Sequence, residues 1–443
     1  MHPVCFPTAG SIRKKSMPQI KPFKALMYNQ EKIKDIAKVV CPPYDIISPA
    51  ESNYYHDISP YNFIHLELGK KVPGEDKYKR AKNYLRDWLK DKILIKDEQP
   101  CIYFCNQQFS LRGVKKERLG FFALLHLGDK KSSVYSHEHT RLEPKEDRFR
   151  LIKKVKANLS PIFLIFSDNK RIVQRTYQHY VQSQVPFMEV TDKERVTHRL
   201  WRIDMPEVVA GMQVSMQKEN IFIADGHHRY EVALAFRQLM KKKLQDAFTG
   251  QESFNYILAY FTNAPSHGLC VLPVHRLVKT KAKFDYRSFI QKLKEYFYVE
   301  EKVKDKTQLF FLMEKGGRTE HVLGMYKEAK FHLLRLKNIR ILEKMISGKS
   351  REYRSLDVSI LNNLILKNIL KLDIEDKRSI IYSPHADEFI DKVDRSSKHI
   401  AFFLNPTKIQ EVITVALNAE RMPSKTTYFY PKVLSGLLLH KFE

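Results

Sequence analysis

Apolar positions recur along the chain in two distinct rhythms. From Lys77 to Lys92 they fall at helical spacing, with Tyr78, Ala81, Leu85, Trp88 and Leu89 on one stripe, which predicts an amphipathic helix. Ile102-Tyr103-Phe104 and the run from Leu119 to Leu125 are continuous and short, as buried strands are. Cys41-Pro42-Pro43-Tyr44-Asp45 is a rigid extended turn, since paired prolines forbid helix. Further on, Val134 to Thr140 predicts a short strand, Glu146 to Val155 a charged helix, and Pro161 opens a buried strand reaching Phe166. The most compact unit follows: Asn220 to Ala224 as strand, Asp225-Gly226 as turn, and His227 to Lys243 as helix with Val232, Phe236, Leu239 and Met240 inward. Tyr256–Thr262 and Leu269–Val278 predict strands; Lys337 to Lys371 is basic and mostly helical; Met422 to Lys432 predicts a packed loop.

The pattern predicts an α+β fold. Its divisions are a flexible extension over residues 1–18, an N-terminal α+β region over 19–130, a catalytic core over 131–280 and a C-terminal α+β region over 281–443. A length of 443 residues agrees with two to three domains of roughly 150 residues each. Hydrophobic residues at 43% and aromatics at 12% supply a core and exclude wholesale disorder. No stretch reaches the roughly 18 apolar residues of a membrane helix, and the first residues lack the apolar segment of a signal peptide. Five cysteines without a C-x-x-C pair indicate neither a disulfide framework nor a zinc knuckle. A cytoplasmic protein with no membrane partner is the expectation.

Charge adds a partner class. Lys and Arg total 77 against 50 acidic residues, a net +27, which suits a polyanion or a phosphorylated small molecule. The charge slightly favours a nucleic-acid partner, but the basic residues are dispersed and no helix-turn-helix stands out, so nucleic acid is not the expectation. There is no P-loop, no G-x-G-x-x-G, no kinase H-R-D loop and no G-x-S-x-G elbow.

Two clusters carry candidate chemistry. Asp225-Gly226-His227-His228-Arg229 sits where a strand meets a helix N-terminus, whose dipole favours an anion. Gly226 permits close backbone approach, His227 and His228 add donors, and Arg229 can grip a phosphate with two hydrogen bonds. Asp225 is suited to cap the helix, to ligate a metal or to orient a substrate hydroxyl. The second cluster is His137-Glu138-His139: in an extended strand the imidazoles share one face, and the carboxylate beside them suits a general base. Lys425 and Lys432, in the proline-flanked tail, are placed to close over an anion.

These residues carry a resemblance. Pro42-Pro43-Tyr44-Asp45, His137-Glu138-x-Thr140, Ser160-Pro161-Ile162-Phe163, Asp225 to Glu231, His275-Arg276-Leu277-Val278 and the tail from Met422 to Lys432 occur in the order found in a bacterial and archaeal family of unknown function. The likeness covers nearly the whole chain from Ile20 onward. The middle part also resembles the superfamily of the ParB nuclease-like domain, sulfiredoxin and the free-serine kinases, through His137-Glu138, Arg148, Pro161-Ile162 and Gly226 to Arg229. The gap from Phe166 to Asn220 is longer than in a minimal ParB-like domain.

The resemblance implies a ParB/sulfiredoxin-like core and a kinase that phosphorylates free L-serine to O-phosphoserine with inorganic pyrophosphate and Mg²⁺, a nucleotide donor remaining open. It implies catalytic roles for Glu138, Asp225 and His228, with Asp225 on the metal. Gly226, His227, His228, Arg229, Lys425 and Lys432 would bind phosphate; His137, Thr140, Arg148, His275 and Arg276 would bind substrate. The competing readings are a non-catalytic ParB-like protein that binds nucleotide or nucleic acid, and a protein-interaction module whose motifs merely hold the fold.

Overall fold

A computed structural model describes residues 17–128, 133–140, 142–280, 284–374, 376 and 378–443. The extension expected over residues 1–18 therefore lies outside the described residues, apart from Met17 and Pro18. The fold is α+β. The chain forms two compact units: one holds Thr140–Cys270, Pro431–Glu443 and the described residues up to Ser136, the other His137–His139 and Val271–Tyr430.

The first unit is built on a mixed sheet. In chain order its elements include β1 (Ile20–Lys21), α1 (Lys77–Lys90), β2 (Ile102–Leu111), β3 (Val114–His126), β4 (Val134–Tyr135), α2 (Leu142–Val155), β5 (Ile162–Phe166), β6 (Met188–Thr191), β7 (Thr197–Ile203), β8 (Ile221–Asp225), α3 (His227–Leu244) and β9 (Tyr256–Asn263). The strand order is β4-β8-β5-β9-β3-β2-β7-β6, with β1 beside β3. The pairs β4–β8 and β5–β9 are parallel; the others are antiparallel. Alternation along β3 sends Leu119, Phe121, Ala123 and Leu125 into one core, with Ile162, Leu164, Phe166, Ile221, Ile223 and Phe261 from the neighbouring strands. Each of the Leu, Ile and Phe side chains contributes about 2 kcal/mol by leaving water. Helix α1 starts where Asp76 accepts from the N–H groups of Tyr78 and Lys79, and it buries Ala81, Leu85 and Trp88, the predicted stripe.

The second unit has a six-stranded antiparallel sheet. Its elements include β10 (His275–Lys279), α4 (Tyr286–Tyr296), β11 (Phe297–Val303), α5 (Lys306–Gly316), β12 (Val322–Lys327), β13 (Lys330–Leu336), β14 (Ile380–Ser383) and β15 (His399–Phe403). The order is β11-β13-β12-β15-β10-β14. Both faces are apolar: Val278, Leu323, Leu334, Ile400 and Phe402 lie in one core, Leu277, Val322, Leu333, Ala401 and Phe403 in the other. The basic stretch predicted as helical holds Ile341–Met345, Arg351–Arg354, Asp357–Ile360 and a wide π-type segment, Leu361–Ile369, whose Leu361, Leu364, Ile365 and Leu366 are buried. No described helix is long and apolar enough to cross a membrane.

Candidate functional site

In the first unit, strand β8 is buried from Ile221 to Ala224 and pairs antiparallel with β5. The register shifts between Ile223 and Asp225, so the irregularity re-aims Asp225 at the strand end. Gly226 follows in the left-handed region, with φ 90° and ψ 27°, and is the N-cap of α3. A Cβ there would lie 2.9 Å from Ile162 Cγ2 and 3.1 Å from Arg229 Nε. Glycine is thus required both by backbone conformation and by space. The cap has no side chain, so the helix starts without a carboxylate or hydroxyl cap at its positive end.

Asp225 does not cap α3. Its Oδ1 accepts from Gly226 N at 2.9 Å, and its Oδ2 accepts from Lys432 Nζ at 3.1 Å. Arg229 Nη2 stands 3.9 Å from Oδ2. Burial alone would raise the Asp225 pKa, but the charges of Lys432 and Arg229, with His227 beyond them, hold it well below the usual carboxylate range. Arg229 is buried too, which would weaken its charge; Asp225, Asp45, Glu67 and Tyr44 more than offset that and hold its pKa above the ordinary value. Its Nη1 donates to Pro161 O, while its Nε meets no acceptor among the described residues. The turn thus joins a fully charged carboxylate to two cations, with one guanidinium donor unspent.

Elsewhere in the first unit lie two expected substrate residues, Arg148 and Thr140, and groups to which no role was given. The Arg148 guanidinium stacks on the Tyr44 ring at 4.2 Å and donates through Nη1 to Glu67 O at 2.7 Å. Its Nε donates to Asp147 at 2.9 Å, and Asp147 also accepts from Lys77 and the Tyr78 hydroxyl. The Glu67 carboxylate accepts from Ser160 Oγ at 2.5 Å, and Ser160 meets Ser435 at 2.7 Å. Burial, then Asp45, push the Tyr44 phenol up, opposed by Arg148 and Arg229. Glu67, Ser160, Arg148 and Arg229 line a cavity of about 50 Å³. Thr140 Oγ1 donates to Glu231 at 2.7 Å, beside Lys145. Glu67 sits in no motif; only the fold reveals it.

His228 lies in the first turn of α3, whereas His137, Glu138, Lys425, His275 and Arg276 belong to the second unit. The strand predicted through His137 and His139 stops at Tyr135. His137 is buried and His139 exposed, so the two imidazoles do not flank Glu138 on one face. Instead Glu138 forms a parallel bridge with Met422, and its Oε1 accepts from Lys425 N at 2.8 Å. Lys425 takes the left-handed conformation, φ 57°. His137 Nε2 is 3.4 Å from Thr427 Oγ1. Arg276 is buried; it donates to Lys425 O at 3.0 Å and to Val274 O, and its guanidinium lies 5.4 Å from the Tyr382 ring centre. Burial lowers its pKa to about 10, with Tyr382 and Glu138 working against the loss of charge. His275 accepts at Nδ1 from Leu404 N at 3.2 Å, and burial followed by the Arg276 charge brings its pKa down to about 3. The tail segment predicted as a loop thus includes a strand, Tyr428–Tyr430, and supplies partners to Glu138 and Arg276.

Neither unit offers a ready metal cage: among the described residues no cluster of three His, Cys, Asp or Glu side chains is poised for a metal ion. Asp225 is a single carboxylate between cations, which fits Mg²⁺ only as one ligand of an ion that brings its own phosphate oxygens.

No curated protein matches this chain. Among solved structures, a free serine kinase in complex with AMP aligns over 70% of this chain and 86% of its own, with 16% identity and a TM-score of 0.34. A conserved hypothetical protein from Pyrococcus furiosus aligns over 70% of this chain and 92% of its own, with 15% identity and a TM-score of 0.33. SbnI with a C-terminal truncation, from Staphylococcus aureus, covers 72% and 86%, with 10% identity and a TM-score of 0.34. Residues 20–359 match a family model, and the chain belongs to that family, described as Protein of unknown function (DUF1015).

Proposed function

We propose that the chain is a phosphotransferase that binds a phosphorylated donor at the Asp225–Arg229 turn and phosphorylates the hydroxyl of free L-serine. The observation that carries the reading is the turn itself: a left-handed glycine at an uncapped helix N-terminus, a buried arginine with an unspent donor, and Lys432 beside it. Such a set of donors matches a phosphate oxygen cluster. Phosphoryl transfer asks for charge neutralisation and positioning more than for covalent chemistry, so a small cradle suffices. Pyrophosphate, which has no base or ribose, needs no nucleotide motif, and the sequence has none. The motif resemblance supports serine as acceptor and Glu138 as base; His228 is proposed to assist at the donor, and His137, Thr140, His275 and Arg276 to serve the acceptor. Mg²⁺ would be held by Asp225 together with the donor and would neutralise phosphate charge there.

The test is phosphorus NMR of the protein with Mg²⁺, L-serine and, in turn, pyrophosphate, ADP and ATP. Phosphoserine from pyrophosphate is expected. Absence of phosphoserine with every donor would withdraw the transfer reaction, and phosphoserine from a nucleotide alone would replace pyrophosphate as donor.

A further inference from the structure

Three side chains stand in a row on the face of the first unit's sheet opposite the Phe121 core. His198 of β7 pairs directly with Gln107 of β2, and Gln107 pairs directly with Arg118 of β3. Arg118 is fully buried. Its Nε donates to Gln107 Oε1 at 2.9 Å, and its Nη2 donates to the same oxygen and to Pro431 O at 2.6 Å. Its guanidinium lies 4.6 Å from the ring centre of Phe163. Gln107 Nε2 faces Lys432 O at 3.2 Å and His198 Nδ1 at 3.2 Å, and His198 Nε2 meets Asp192 at 3.0 Å.

The proton assignment of this row is forced. Arginine only donates, so the Gln107 oxygen must face Arg118. The Gln107 amide nitrogen then donates to Lys432 O and to His198 Nδ1. His198 therefore accepts at Nδ1 and donates from Nε2 to Asp192.

The two carbonyls that the row grips, Pro431 O and Lys432 O, flank the Cα of Lys432. Holding both peptide units fixes the direction in which the Lys432 side chain leaves the backbone. That direction leads to Asp225. Burying a guanidinium whose partners are an amide and a carbonyl costs several kcal/mol, and an apolar residue would fill the space at lower cost. Burial accordingly lowers the Arg118 pKa, with Tyr260 opposing.

We propose that Arg118 and Gln107 are positioning residues of the anion site: by clamping the peptide units on either side of Lys432 they hold its ammonium at the Asp225 turn, ready for a phosphate. This rests on the reading of that turn as a phosphate site. It adds residues that do not touch the ligand.

A double-mutant cycle tests it, with calorimetric titration of pyrophosphate into the full chain. Lys432→Met is expected to weaken binding about tenfold, the loss of one charge-assisted contact. Arg118→Met is expected to weaken it by a similar factor, and the double variant to bind no more weakly than Lys432→Met alone. If the two factors multiply, or if Arg118→Met binds as wild type, the positioning role is overturned while the phosphate site stands. Unchanged binding by Lys432→Met removes Lys432 from the site and overturns the inference, whereas no pyrophosphate binding by the wild-type chain overturns the phosphate site itself. Should Arg118→Met fail to fold by its thermal transition, Gln107→Met serves in the same cycle: about threefold weakening that vanishes in the Lys432→Met background supports the clamp, and threefold weakening that persists there refutes it.

Discussion

Gly226 is the residue on which the turn depends most directly. Gly226→Ala places a side chain at φ 90° and brings Cβ within 2.9 Å of Ile162. The left-handed backbone and the overlap together should cost about 2–4 kcal/mol. Urea unfolding should show it as a lower midpoint at unchanged slope; a wild-type midpoint would mean that the turn relaxes freely. Glu138 poses a different question, since its carboxylate is fixed by a backbone N–H rather than set between imidazoles. If it is the base, Glu138→Gln should lower kcat by about 10²-fold with the fold intact. Near-native turnover in the serine assay would remove it from the chemistry.

At the scale of elements, local signals and tertiary signals separate cleanly. Helix α1 depends on Asp76, which accepts from two first-turn N–H groups. Asp76→Ala should destabilise by about 1 kcal/mol, read as a fall in the denaturant midpoint, and Asp76→Ser should restore most of it. That helix, strand β5 and the β8–turn–α3 unit were legible because period and punctuation alone define them. The helix over Lys337 to Lys371 was legible only in outline. Its Ser347-Gly348 break is local, with Gly348 at φ 74°, and could have been read from the dipeptide, whereas its wide π-type turn buries Leu361, Leu364 and Ile365 in the second unit's core, which no periodicity reports. The strand through His137 and His139 failed for a related reason. Alternation gave two faces, but pairing ends at Tyr135 and a single bridge to Met422 holds the next residues. At the turn, the anion-binding residue types were readable from sequence. Lys432 beside Asp225 and Glu67 on Ser160 join parts of the chain 207 and 93 residues apart, which no local pattern reports, whereas Arg118 faces Gln107 across the β2–β3 hairpin, whose register the residue pattern did not define.

Over the whole molecule, buried histidines set an acid limit. Burial first, then Arg276 and His385, lower the pKa of His275 from 6.5 to about 3. Burial also lowers His440 from 6.5 to about 4, with Lys21 and Lys96 adding to it against Ser253 and Glu443. Both are neutral in the fold, whereas the unfolded chain takes up a proton near pH 6.5. The unfolded state therefore binds more protons below that point, and stability falls as pH drops from about 6.5 towards 4. Above it these groups contribute no slope. Asp168, whose carboxyl burial pushes up to about 7, works the other way in the same window, so the histidine share is read by difference: urea midpoints from pH 7.5 to 4.5 should fall further in the wild type than in His440→Asn, which can keep a donor for Ser253 O. Equal slopes in the two proteins would assign the acid limit to other groups.

The first unit is closed by a late piece of the chain. Ser435 pairs with Cys41, Leu439 with Leu26 and His440 with Asn158, and Phe442 completes the cluster around Phe236. Residues 271–430 are translated between Cys270 and that closing segment. At ~5–20 residues per second, the first unit waits on the order of ten to thirty seconds for His440–Lys441, the short strand that pairs with Ala157–Asn158. During synthesis the second unit can emerge and begin to fold while the first still exposes an unpaired edge and an open apolar cluster. Vectorial folding thus runs against the gene's order here: the part translated first is finished last. In that interval the apolar cluster that Phe442 completes stands open, the kind of surface that chaperones bind, and a premature stop just upstream of Pro431 would leave it so.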